Sequence, residues 1–120
     1  MNYESLYEDF KMLFADELTR INQLESINGI DSTDGIHVAF GMVVVPFVAD
    51  LINNGHLSDV YKAFQFFEDM CKSENTLICE VLEFTVLEGF ISLGSAFLSK
   101  CKTYMGSETL ESCSAVEKYM

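Results

Sequence analysis

Apolar residues recur along almost the whole chain at the three- and four-residue spacing of a helix. From Tyr3 to Leu24 the residues Leu6, Phe10, Leu13, Phe14, Ile21 and Leu24 keep that spacing, and Ser5-Leu6-Tyr7-Glu8 offers a capping-box pattern at the start, so the segment reads as one amphipathic helix. Glu17 interrupts the stripe. An unpaired buried carboxylate is costly, so Glu17 is expected either to curl out at a bend or to cap backbone groups. The stretch from Ser26 to Gly35, rich in Asn, Gly, Ser, Thr and Asp, reads as a loop carrying Asp31 and Asp34. From Ile36 to Asn54 the chain is nearly all apolar, with Val38, Met42, Val45, Ala49 and Ile52 on one face and Phe40, Val44, Phe47 and Leu51 on another. Its β-branched residues favour a strand over Val38 to Val45, and Pro46 disfavours an uninterrupted helix. Its length, about 19 residues against the five or six of an ordinary strand, favours a helix kinked near Pro46 and ended at Gly55.

Ser58 can cap a helix from Asp59 to Ser73, where Val60, Phe64, Phe67 and Cys71 form a stripe widened by Ala63, Phe66 and Met70. Lys62, Gln65, Glu68, Asp69 and Lys72 fall on its outer face, with Glu68 and Lys72 in the favourable i,i+4 order. Asn75 caps the next helix, from Asn75 to Ile91. Its apolar residues Leu77, Ile78, Cys79, Val81, Leu82, Phe84, Val86, Leu87 and Phe90 run right round the wheel, which marks a buried central helix. Its only charges, Glu80, Glu83 and Glu88, fall within an arc of roughly 140° at the helical step, with Phe84 and Leu87 between them. Gly89 and Gly94 bracket its end, because glycine weakens a helix interior. A helix from Ser95 to Met105, a stop at Gly106 and a weakly amphipathic helix from Ser107 to Tyr119 complete the chain. The expected fold is a single all-α domain over residues 1–120, with five or six helices in antiparallel hairpins packed on the segment from Asn75 to Ile91.

Composition narrows the function classes. A net charge of −12, from 19 acids against 7 bases, argues against nucleic-acid binding, which needs clustered Lys and Arg, and favours a basic partner. A hydrophobic content of 49% with 10 Phe supplies the core that a disordered acidic chain lacks. The run from Val38 to Val45 is too short to span a bilayer and the run around Leu82 carries three glutamates, so membrane insertion is not expected. The first 20 residues open with acids and have no basic n-region, so a secretory signal is not expected and a reducing cytoplasm is.

Cys71, Cys79, Cys101 and Cys113 have no C-x-x-C spacing and read as buried thiols. Neither phosphate-cradling glycine motif occurs, and neither His37 nor His56 sits in a ligand or nucleophile motif. Carboxylates are plentiful, but no sugar-binding pattern accompanies them. The sequence therefore reads as non-catalytic, with no cofactor and no metal.

Val81 to Phe90, VLEFTVLEGF, and Met105 to Met120, MGSETLESCSAVEKYM, carry a resemblance to small helical immunity proteins of bacterial polymorphic-toxin and contact-dependent growth inhibition systems. The Gly106-Ser107-Glu108-Thr109 opening is similar to the family's Gly-Pro-x-x start of a terminal helix, with Ser107 in place of the proline, and the layout extends over residues 36 to 120. The resemblance implies HEAT-like helical hairpins and a cytoplasmic protein that binds and blocks one cognate toxin domain, often a nuclease. The charge fits independently, since an acidic inhibitor can be steered to a basic cleft. The absence of Lys and Arg from Ile21 to Tyr61 and from Ser73 to Ser99 makes Glu80, Glu83 and Glu88 beside Phe84, together with Asp31 and Asp34, the candidate partner-binding residues. An acidic helical adaptor for some other basic protein is the alternative reading.

Overall fold

Helix is the regular structure throughout the residues described, 1–31 and 33–120, in this computed structural model. Among them are seven helices and no strand, so the all-α expectation holds and the strand reading of Val38 to Val45 is excluded. Ser32, within the expected loop, lies outside the described residues.

The seventh helix comes from the N-terminal segment, which is not one helix. Helix α1 (Leu6–Leu13) stops at Phe14, a 3₁₀ turn follows at Ala15–Glu17, and α2 runs from there over Leu18–Asn28. The bend lies where Glu17 broke the apolar stripe. It lets Phe14 and Ile21 both reach the core, while Leu13, expected in the stripe, is exposed. Helix α2 overruns the expected loop by a few residues and ends at Gly29, whose φ of 65° lets its N–H return to the Glu25 and Ser26 carbonyls.

Helix α3 is continuous over Ile36–Asn53. It contains a π-helical segment, Phe40–Val44, just before Pro46. Proline has no N–H to give to residue 42, and the backbone answers by shifting register, with the Val45 N–H reaching the Phe40 carbonyl. The orphaned Met42 carbonyl is taken up by the Asn28 side-chain amide at 3.0 Å, so the end of α2 repairs the helix it packs on. The looser winding also rotates the face predicted from a uniform helical step. Val45 and Ile52 are buried, but Val38 and Met42 from the same predicted stripe are exposed.

Helix α4 (Leu57–Lys72) starts after Gly55, whose φ is 71°, with His56 rather than Ser58 at its cap position. Its expected outer face needs one correction, because Glu68 is buried. Helix α5 covers residues 76–92 in three parts, Thr76–Val81, a π-helical Leu82–Leu87 and Glu88–Ser92. The expected Asn75 cap is present, its side chain accepting the Leu77 N–H at 2.9 Å. Gly94, at φ 107°, separates α5 from α6 (Ser95–Lys102), and α7 (Ser107–Glu117) closes the chain.

Helices α3, α4 and α5 pack on one another; α1 and α2 cover one side of this trio, and α6 and α7 cover the other. The centrality expected for α5 is thus shared by three helices. Leu82 is fully buried as expected, whereas Leu77 and Phe84, on a helix expected to be covered all round, are 49% and 60% exposed. Phenylalanines fill the core: Phe10 sits 5.0 Å from Phe14 and 5.4 Å from Phe66 between ring centroids, and Phe64 stacks on Phe90. Helix α3 is long and apolar enough to cross a membrane by length and composition, but Phe40, Val43, Val44, Phe47, Val48 and Leu51 are all spent on this core. The Cα radius of gyration, 13.2 Å, is close to the roughly 13.6 Å expected of a folded single domain of this length.

Candidate functional site

The two stretches that lack Lys and Arg fold against each other. Helix α3 belongs to the first, α5 to the second, and their π-helical segments meet at the crossing. Small residues allow the approach: a methyl on Gly41 would stand 3.3 Å from the Thr85 methyl, and one on Gly89 would stand 3.0 Å from Val45. Across the rim of the same contact, His37 Nδ1 and Thr85 Oγ1 are hydrogen-bonded at 2.5 Å. That bond joins the first turn of α3, which follows directly on the Asp31 to Gly35 loop, to the middle of α5.

On α5 the sequence-predicted residues form a solvent-facing stripe. Glu80 and Phe84 are exposed and Glu88 is half-buried in line with them, while Leu77 extends the stripe toward the helix start. Glu83 flanks it and, with Phe84, lines a cleft of about 380 Å³ closed on the far side by Ala115, Val116 and Tyr119 of the C-terminal segment. Leu87, expected between the glutamates, is fully buried, because a uniform helical step does not carry through the looser π segment.

Asp31 and Asp34 lie elsewhere, at the mouth of a cleft of about 280 Å³ between α1, the end of α2 and the start of α3. They hold each other, the Asp34 carboxylate accepting the Asp31 N–H at 2.9 Å. The Thr33 hydroxyl and backbone N–H both donate to Asp31 and hold its carboxyl below the usual range. Deeper in this cleft Glu25 accepts from the Tyr7 hydroxyl at 2.6 Å and from Lys11 at 3.0 Å. Burial, and then the bond to Glu25, push the Tyr7 hydroxyl well above its ordinary pKa.

Ion pairs tie up other acids of the chain. Lys11 pairs with Glu8 and Glu25, Arg20 with Asp50, Lys62 with Asp59, Lys72 with Glu68, and Lys102 with Glu117. Among the described residues, Asp31, Asp34, Glu80, Glu83 and Glu88 have no such partner. The result on α5 is a stripe of negative charge without ion-pair partners beside the exposed Phe84 and Leu77, while Val38 and Met42 are exposed apolar residues of α3.

Sequence reasoning missed Val38 and Met42 as surface residues and His37 as the link between the helices. Pro46 was the available signal for the first two, since the shift in winding it forces lies just upstream; nothing local in the sequence marks the His37–Thr85 bond. No curated protein and no solved structure matches the chain. A family described as a domain of unknown function, DUF7674, matches residues 5–120, and the protein belongs to it.

Proposed function

We propose that this protein is a non-catalytic inhibitor that binds a basic toxin domain through the acidic face of α5 and occludes it, as an immunity protein does in the cytoplasm of the cell that makes the toxin. The observation that carries the reading is the solvent-facing stripe on α5, where Glu80, Glu83 and Glu88, none with an ion-pair partner among the described residues, stand beside the exposed Phe84. Binding faces commonly combine an aromatic anchor at the centre with a charged rim, the anchor supplying affinity and the rim setting encounter rate and partner choice. A nuclease toxin suits this face, because a site that holds a polyanion is itself positively charged.

The proposal requires a toxin gene next to this one, its absence favouring the adaptor role, and the test is co-expression of the protein with the toxin domain encoded there. Wild type should restore growth, and Phe84→Ala, with a fold unchanged by circular dichroism, should protect at least about tenfold less well, as expected of a central aromatic anchor. Full protection by Phe84→Ala would remove α5 from the interface. A basic partner that proves not to be a toxin would replace inhibition by the adaptor role.

A further inference from the structure

The second histidine stands in a different constellation, on the opposite end of α3 from His37. Glu17, the last residue of the 3₁₀ turn, His56, in the turn between α3 and α4, and Asp59, in the first turn of α4, bring one imidazole and two carboxylates to a single point. One ligating atom from each lies within 4.8 Å of the other two, and His56 Nδ1 is 3.9 Å from Glu17 Oε1. The latter distance is too long for a hydrogen bond. It is within the span of two ligands on one ion, since bonds of about 2.0–2.2 Å put neighbouring ligand atoms roughly 3 to 4 Å apart.

Both carboxylates are largely covered, with side chains 21% exposed, and they receive little from the protein. The Asp59 carboxylate has Lys62 Nζ at 3.8 Å, an exposed lysine on its own helix, and Glu17 has only the distant imidazole. Two mostly covered negative charges facing one another are costly without a shared counter-charge. The backbone around His56 is meanwhile fixed, its N–H bound to the Leu51 carbonyl at 3.0 Å by the Gly55 turn.

We propose that Glu17, His56 and Asp59 form a binding site for a divalent first-row transition metal of the zinc type. One nitrogen and two oxygens are a mixed donor set suited to such an ion, whereas magnesium and calcium favour oxygen alone. Three protein ligands leave at least one position to water or to an outside group. The ion ties the bend between α1 and α2 to the turn between α3 and α4, two segments far apart in sequence.

Calorimetric titration of the full-length protein with zinc chloride, and absorption titration with cobalt chloride, test the site. The expected result is one equivalent bound, a cobalt spectrum without the intense thiolate band that a cysteine site gives, and affinity at least about tenfold lower in His56→Ala and in Glu17→Gln, the loss typical of a disturbed metal shell. His37→Ala should bind as wild type does, and circular dichroism should show all three variants folded. No uptake by the wild type, a thiolate band, or undiminished binding by folded His56→Ala would overturn the assignment.

Discussion

Glu68 on α4 holds Thr109 at the start of α7 through both of the latter's donors, the backbone N–H at 2.9 Å and the hydroxyl at 2.7 Å, while its second oxygen accepts the Glu108 N–H at 3.2 Å. A carboxylate that is buried on one helix thus caps the next, where free N–H groups and the helix dipole both favour negative charge. Burial works to raise the Glu68 pKa, but the Thr109 side-chain and backbone bonds, the Glu108 N–H and nearby Lys72 outweigh it and hold the carboxyl below its ordinary value of 4.5.

A folded-state pKa below the unfolded one contributes stability that is present above the unfolded value and is lost as pH falls through the folded value. Glu68→Gln should therefore cost about 1.5 to 3 kcal/mol near pH 7, the range for hydrogen bonds to a charged group. The gap between variant and wild type should narrow as urea titrations are taken below about pH 4.5. A gap that stayed constant down to the acid transition would mean that the charge of Glu68 contributes nothing.

Gly106 is coupled to the same group. Its φ of −73° suits any residue, but a methyl there would collide with the Glu68 carboxyl. Gly106→Ala should destabilise by about 1 to 3 kcal/mol through overpacking. The cost should be much smaller in a Glu68→Ala background, and strict additivity in that cycle would show that the two residues do not meet.

Leu82 is fully buried where α5 faces its neighbours. Leu82→Ala should lose about 2 to 5 kcal/mol from transfer energy plus a cavity, a large share of the 5 to 15 kcal/mol typical of a domain. Denaturant titration giving a loss below about 1 kcal/mol would contradict the central position of α5.

The helices were legible because apolar residues at helical spacing dominate nearly every segment, and Asn75, Gly55 and Gly94 marked their boundaries. Three features were not. The break after Phe14 has no proline or glycine, only the misfit of Glu17 in an apolar stripe. The π segments displaced side chains from the angles a uniform step assigns, which brought Val38 and Met42 out and turned Leu87 in. Glu68 was read as an outer-face residue because its partners, Glu108 and Thr109, lie some 40 residues on and are visible only in three dimensions. The candidate acids were legible as a charge pattern, and the fold divided them into a stripe on α5 and a loop beside the α1–α2 cleft.

The measurement that bears most directly on the proposed function is the association rate of Glu80→Lys/Glu83→Lys with a toxin domain that co-expression shows the wild type to neutralise, at low and at physiological salt. Steering by exposed charge is screened over about 8 to 10 Å in physiological buffer, so the wild-type rate should fall as salt rises. The folded double variant should associate at least about tenfold more slowly at low salt and show little salt dependence. Association as fast as wild type with the same salt response would contradict an interface on the acidic face of α5.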